Sequence, residues 1–295
     1  MLRIPKWLLI GGCSLLAALI LFLAVPGGIK MVAAKPESVR LPAVMYHHVL
    51  NQSDMLGDYV ISPKQLDEDL RYIQERGYTP VSAAELQAYV AGEGELPERP
   101  ILITFDDGYK SSFVYAYPAL KKYGMKGILA VIGIHSEYYS EIDDDNVNYA
   151  HATWDELRQM SESGVFEIAN HTYDMHEESS PRAGVRRKAG ESKADYQKAL
   201  REDIGTNQQL LEMATGKTPT VFAYPFGFLD EDARAVLDEL GFTMTMGVAE
   251  RVNTVTRGEP ESLRELGRYN RPYGVTTQSF FDPIFAEAER EAAAK

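Results

Sequence analysis

The sequence predicts an α/β fold: one parallel sheet closed into a barrel, preceded by a single N-terminal transmembrane helix. Three observations carry this expectation. Seven or eight short apolar runs of strand length alternate with helix-spaced segments, the pattern of parallel β-α units. The chain has 295 residues, 45% of them hydrophobic, and one closed barrel accounts for that length better than two small domains. Arg3 and Lys6 precede an apolar run from Trp7 to about Val25, long enough to cross a bilayer as a helix. The expected organisation is residues 1–28 as an anchor or signal segment, 29–40 as a tether, 41–285 as the folded domain and 286–295 as a tail.

The positive charges before the apolar run orient the N-terminus to the cytoplasm and the rest outside. The expected location is therefore the bacterial cell membrane, single-pass, with the folded domain outside. Val32-Ala33-Ala34 leaves open a cleaved signal and a secreted product. Cys13 is the one cysteine and lies inside the apolar run, so no intrachain disulfide framework exists.

Beyond the tether, Ala43–Tyr46 reads as a strand. Leu66, Leu70 and Ile73 recur at helix spacing in Pro63–Arg76, which Gly77 stops. A short strand at Thr79–Val81 precedes a helix from Ala83 to Val90. Ile101–Phe105 is a buried strand, Tyr117–Tyr123 a helix ended by Gly124, and Gly127–Ile132 another buried strand. Thr153 with Glu156 forms a capping box, opening a helix that ends at Gly164. Phe166–Ala169, Thr220–Tyr224 and Phe242–Met246 read as strands, and Leu266–Tyr269 as the last one. Lys193–Ala214 and Asp230–Leu240 read as helices. Arg182 to Lys193 is polar and basic and reads as a surface insertion; Asp143-Asp144-Asp145-Asn146 lacks the alternation of a calcium loop and reads as a solvated turn.

Open-sheet and barrel enzymes place their sites where parallel strands end. Asp106-Asp107 follows the strand at Ile101. Neighbouring side chains on a strand point to opposite faces, so both acids address one centre only if the backbone bends, and Gly108 supplies a bend. An Asp-Gly turn is the structural alternative. His47-His48 follows the first strand, His171 to His176 the strand at Phe166, and Pro225-Phe226-Gly227 the strand at Val221. Four of the six histidines thus fall on one rim. On a helix, five residues at ~100° each would turn His171 and His176 about 140° apart. In a loop both rings can converge on one ion, and with one carboxylate of the Asp pair they make a His-His-Asp set. Three protein ligands with open positions suit a catalytic divalent ion, zinc by default, with cobalt or nickel as alternatives.

Thr104-Phe105-Asp106-Asp107-Gly108, His171-Thr172-x-x-x-His176 and Phe222-Ala223-Tyr224-Pro225-Phe226-Gly227 resemble, in that order, the three main motifs of the NodB-type polysaccharide deacetylases, carbohydrate esterase family four. The resemblance covers roughly residues 40 to 275. It implies a distorted (β/α)7 barrel for residues 41–285 and metal-dependent removal of acetyl groups from sugars. It implies Asp106 as general base, and Asp107, His171 and His176 as metal ligands. It implies the Phe226 N–H at the oxyanion, with Tyr224 and Pro225 shaping the groove. Histidines five residues apart, and Ala223 where many members have Arg, resemble the exported deacetylases of poly-β-1,6-N-acetylglucosamine. In that subgroup an early histidine is the acid, and Met45-Tyr46-His47-His48-Val49 makes it His47. Arg268 or Arg271 is then expected to replace the missing Arg beside Asp106.

The implied function is release of acetate from N-acetylglucosamine units of an extracellular glycan, poly-N-acetylglucosamine or peptidoglycan. The competing readings are an inactive membrane-tethered glycan-binding module and an O-acetyl carbohydrate esterase. A net charge of -13 without a Lys/Arg block argues against nucleic acid as partner.

Overall fold

The computed structural model describes residues 37–292, residues 53 and 180 excepted. The expected N-terminal anchor therefore lies outside the described residues. Among the described residues no helix is long and apolar enough to cross a membrane.

In chain order the first elements are β1 (Ser38–Leu41), β2 (Ala43–Tyr46), β3 (His48–Val49), β4 (Val60–Ile61), α1 (Pro63–Glu75), β5 (Thr79–Pro80), α2 (Ala83–Ala91) and β6 (Pro100–Phe105). A π-turn at Ser112–Ala116 leads into α3 (Tyr117–Tyr123), then β7 (Gly127–Val131), α4 (Gly133–Glu141), α5 (Trp154–Glu162), β8 (Phe166–Asn170) and α6 (Lys193–Thr215). The chain ends with β9 (Val221–Ala223), α7 (Arg234–Glu239), β10 (Met244–Met246), β11 (Asn253–Thr256), β12 (Tyr269–Asn270) and α8 (Thr277–Ala292).

The main sheet is parallel and runs β10-β9-β8-β7-β6-β2-β12, with β5 also beside β6. Its strands bury alternate residues on opposite faces. Ile101, Ile103, Phe105, Leu129 and Val131 pack outward in one cluster with Leu66 and Leu70 of α1 and Phe281 and Phe285 of α8. Leu102, Ile128, Ala130, Ala169 and Ala223 turn to the concave side, where α2 and the β1–β11 ribbon close one end. Burial on both faces is why these strands read as continuous apolar runs.

The expected closed barrel is corrected to a curled, open parallel sheet, consistent with a distorted β/α barrel. Between β10 and β12 the only pairing among the described residues is a one-residue bridge, Met246 to Leu266. The ladder stops there for a physical reason. Gly267 passes so close to its neighbours that a Cβ would stand 2.3 Å from the Ala249 carbonyl oxygen. Its backbone is satisfied by a side chain instead of a strand: Gly267 N donates to Asn253 Oδ1 (2.7 Å), and Asn253 Nδ2 donates to Gly267 O (2.9 Å). The last strand accordingly begins at Tyr269 rather than Leu266.

Four other expectations change. The tether ends earlier than residue 40, because Ser38–Leu41 pairs with β11. The tail from Ala286, expected as a frayed surface helix, is helical through Ala292 but is the second half of α8, a packed helix that buries Phe281, Ile284, Phe285 and Ala288 at helix spacing. Pro283 inside that helix masks its first half in the sequence. The stretch from Arg182 is packed, not a loose insertion: Arg182 is buried over the Tyr196 ring, and the Tyr196 hydroxyl donates to Val185 O (2.6 Å). Asp230–Leu240 is a short 3-10 turn followed by α7 rather than one helix.

Candidate active site

Asp106 and Asp107 leave the end of β6, and the bend between them begins at Asp107 itself, with φ 72°, before Gly108 at φ 76°. Left-handed backbone is rare for a side chain other than glycine, and here it turns two adjacent carboxylates toward one centre. Gly108 is obligatory beside it, since a Cβ would press on Val131 at 3.2 Å as well as sit at positive φ.

Asp106 is buried, and Arg268 holds it with a two-pronged pair: Nη1 to Oδ1 at 2.7 Å and Nη2 to Oδ2 at 2.8 Å. Arg268 is itself fully buried. Its Nε donates to Gly247 O (2.9 Å) and its Nη1 also reaches Thr104 Oγ1 (3.2 Å). Burial is the largest single effect and would raise the Asp106 pKa, but the charge and hydrogen bonds of Arg268, joined by His171 and His47, together outweigh it and hold the carboxyl below its ordinary range. Of the two arginines expected here, Arg268 takes the place. Arg271 instead pairs with the buried Asp69 of α1 (2.8 and 2.9 Å).

His171 and His176 converge on Asp107. Their Nε2 atoms are 3.2 Å apart, and Asp107 Oδ1 lies 3.6 Å from the first and 3.4 Å from the second. Ligands about 2.0–2.2 Å from a tetrahedral ion stand roughly 3.3–3.5 Å from one another, so this donor set fits a divalent cation. The tautomer fits too. His171 Nδ1 faces the Ala223 carbonyl at 2.9 Å, so Nδ1 carries a proton and Nε2 is the atom turned toward Asp107, free to give its lone pair to a cation once deprotonated. Burial, then the neighbouring His171, depresses the His176 pKa to about 4, leaving that ring neutral at pH 7. Asp107 is held well below the ordinary carboxylate range: burial opposes this, but the histidines around it win.

His47 is coupled electrostatically to both Asp107 and Asp106, so the first-strand histidine does join the centre. Its pKa is lowered, mainly by burial. Its Nδ1 is buried without a hydrogen-bond partner, and the Tyr59 ring stands edge-on against it at 4.9 Å. Phe226 sits at φ 56° in the turn after β9, with its ring 4.5 Å from His176. Tyr224 and Pro225 are buried beneath that turn rather than exposed on it, so they hold Phe226 in place.

Two histidines that the sequence reading did not place also lie at this rim. His48, Tyr109, His151 and His135 stack in a column with centroid separations of 4.1, 4.6 and 4.3 Å. His48 is satisfied as a neutral ring: Nε2 donates to Asn148 O (3.1 Å) and Nδ1 accepts from Ser111 Oγ (2.7 Å). His135 follows β7 and was findable by the same rule that picked the other clusters. His151 follows no strand, and only the fold brings it here.

Several known proteins are similar to this chain. The profile of the polysaccharide deacetylase family matches residues 93–245. The chain is 26% identical over 226 residues to a poly-beta-1,6-N-acetyl-D-glucosamine N-deacetylase of Escherichia coli, covering 68% of this chain and 33% of that protein. It is 24% identical over 208 residues to the protein of the same name from Staphylococcus aureus, covering 70% and 67%. The chain thus spans about a third of the length of the Escherichia coli relative. Among solved structures, a de-N-acetylase from Aggregatibacter actinomycetemcomitans superposes with a TM-score of 0.70 at 23% identity, over 82% of this chain and 99% of that one. IcaB from Ammonifex degensii superposes with a TM-score of 0.66 at 26% identity, over 85% and 97%.

Proposed function

Because the chain belongs to the polysaccharide deacetylase family, we propose that it removes N-acetyl groups from an extracellular polysaccharide of the poly-β-1,6-N-acetylglucosamine type, releasing acetate. The observation that carries this reading is one arrangement: a buried, arginine-held Asp106 adjoining the Asp107–His171–His176 donor set.

The reaction adds water across an amide: the carbonyl C–N bond breaks, and the nitrogen leaves with a proton. Asp107, His171 and His176 are the residues to hold a divalent cation, zinc by the donor set. Such a cation would supply positive charge to polarise the acetyl carbonyl and acidify water. Asp106, kept ionised by Arg268, takes the proton from the attacking water. The Phe226 N–H donates to the oxygen on which charge develops. His47 gives the proton to the departing nitrogen. Burial lowers the pKa of the His47 ring, and the nearby carboxylates of Asp107 and Asp106 offset only part of that. Arg268, buried against Asp106, supplies an arginine beside the base although position 223 is Ala, which supports an active centre over an inactive binding module. The extracellular location, with the N-terminal apolar run as anchor, rests on the sequence.

Acetate release from β-1,6-linked N-acetylglucosamine oligomers tests the proposal, with chelated protein reloaded by zinc, cobalt or nickel and an O-acetylated sugar run in parallel. The expected result is N-acetyl turnover that chelation abolishes and that Asp106→Asn lowers by roughly 10²–10⁴-fold. Equal release by wild type and Asp106→Asn would sink it, and preference for the ester would make the protein an O-acetyl esterase.

A further inference from the structure

His171 and His176 converge only because the chain between them reverses sharply, at Thr172. This residue has φ 71°, a conformation that a β-branched side chain strongly disfavours. Its hydroxyl is buried without a partner, so its own side chain does not hold it there. The restraint comes from outside the loop.

Two residues of α6 supply it. Asp203 accepts Tyr173 N on Oδ1 and Asp174 N on Oδ2, both at 2.9 Å. One turn on, Asn207 Nδ2 reaches Thr172 O (2.9 Å), Val131 O (2.9 Å) and Asn170 Oδ1 (3.1 Å). Val131 O is also the acceptor of His171 N (3.0 Å), and Asn170 Oδ1 accepts Thr172 N (2.8 Å). Residues four apart share a helix face, so a single face of α6 grips the loop at Thr172, Tyr173 and Asp174. The start of α4 grips it from the other side, Gly133 N donating to Thr172 O and Ile134 N to Tyr173 O, each at 3.0 Å.

The orientation of the Asn207 amide is forced. Turned over, its oxygen would face three oxygens with no donor between them. As placed, Oδ1 has no hydrogen-bond partner and lies against Gly133, where a Cβ would stand 2.3 Å away. A fully buried amide with an unsatisfied acceptor is costly, and it persists here where it fixes a strained turn. We infer that Asn207 and Asp203 are positioning residues for the metal centre: they clamp Thr172 in its left-handed turn so that His171 and His176 meet at Asp107. The inference rests on the reading of Asp107, His171 and His176 as metal ligands, and it extends to residues that touch neither cation nor substrate.

The test is Co²⁺ titration of the full-length protein, followed by its visible absorption, with thermal unfolding of the metal-free protein measured alongside. Asn207→Asp keeps the shape and replaces the donor by an acceptor. Asp203→Asn keeps one acceptor and sets an NH₂ against the other backbone N–H. Both are expected to weaken Co²⁺ by about 10–100-fold and to alter the absorption band, the usual range for groups that orient ligands. Asp203→Ala should weaken it further than Asp203→Asn. If Asn207→Asp fails to fold, Gly133→Ala strains the same clamp from the α4 side, and its Co²⁺ affinity is read instead. Lower melting temperatures with Co²⁺ affinity and spectrum unchanged would make the two residues merely structural and overturn the inference. A wild-type protein that binds no Co²⁺ would instead overturn the metal centre itself.

Discussion

At the scale of single residues the decisive contact is Arg268 on Asp106, made across 162 positions of sequence. Arginine suits this place because its planar fork donates to both carboxylate oxygens at once. The Asp106 pKa is depressed, so its ionised form contributes stability that is present above the unfolded value of about 3.9 and is lost as pH falls through the folded value. Removing the arginine takes away the main opposition to burial and leaves only the histidines against it, so the Asp106 pKa should rise. In Arg268→Gln the acid limb of kcat/KM against pH should therefore move to higher pH, and turnover at neutral pH should fall. An unmoved acid limb would mean that Asp106 is not the group that titrates. His47→Ala should lose turnover while the protein still binds Co²⁺ with wild-type affinity. Loss of the metal in that variant would make His47 a ligand instead of the acid.

At the scale of elements, α1, β12 and α8 are tied by a buried knot. Asp69 accepts from Arg271, from the Tyr46 hydroxyl (3.1 Å) and from the Thr277 hydroxyl (2.7 Å), and both partners of the ion pair are buried. Breaking such a pair from one side leaves an uncompensated charge, so Asp69→Ala should cost about 3–5 kcal/mol in denaturant unfolding. A cost below 1 kcal/mol would show that water reaches the site. The knot lies one residue from His47, and its loss should lower turnover only as it lowers the folded fraction. On α8, Phe285 is fully buried and stacks on Tyr78 at 4.0 Å. Phe285→Ala should cost about 3–5 kcal/mol, read as a lower melting temperature with the metal site unaltered. These elements show why the sequence is legible in parts. Helices with a capping box or a glycine stop, such as α2 and α5, stand within a residue or two of their expected bounds. The helix α4 has no side-chain cap and begins at a glycine that packing against Asn207 requires, so local pattern does not announce it.

At the scale of the whole molecule, the curled sheet brings loops from β2, β6, β8 and β9 to one rim, and a segment from 266 to 271 completes it. All of these lie within residues 37–292. A chain beginning at Pro36 should therefore fold and release acetate from soluble oligomers at a rate within about threefold of full length, with local stability set by the sheet. A truncated chain that is folded by circular dichroism but inactive would assign the N-terminal segment a part in the chemistry. The open seam has a consequence of its own. Asn253 occupies the place of a ladder partner at Gly267, so Asn253→Leu leaves the Gly267 N–H and carbonyl buried and unpaired. It should lower both stability and turnover, because Arg268 is the next residue.

The sequence by itself determined the parallel β-α alternation and the clusters at the strand ends. It also singled out the acids and histidines that the fold brings together, because strand and helix periodicities and motif spacing are local properties of the chain. Tertiary structure alone decided three things. It chose Arg268 over Arg271, since both follow the same seam and only the direction each side chain takes separates them. It left the barrel open at Gly267, because the stop is a steric contact with Ala249 and a side-chain substitute from Asn253. It brought the donor atoms of His171, His176 and Asp107 within 3.6 Å of one another, with the left-handed turn at Thr172 held from α4 and α6 by residues that no motif contains.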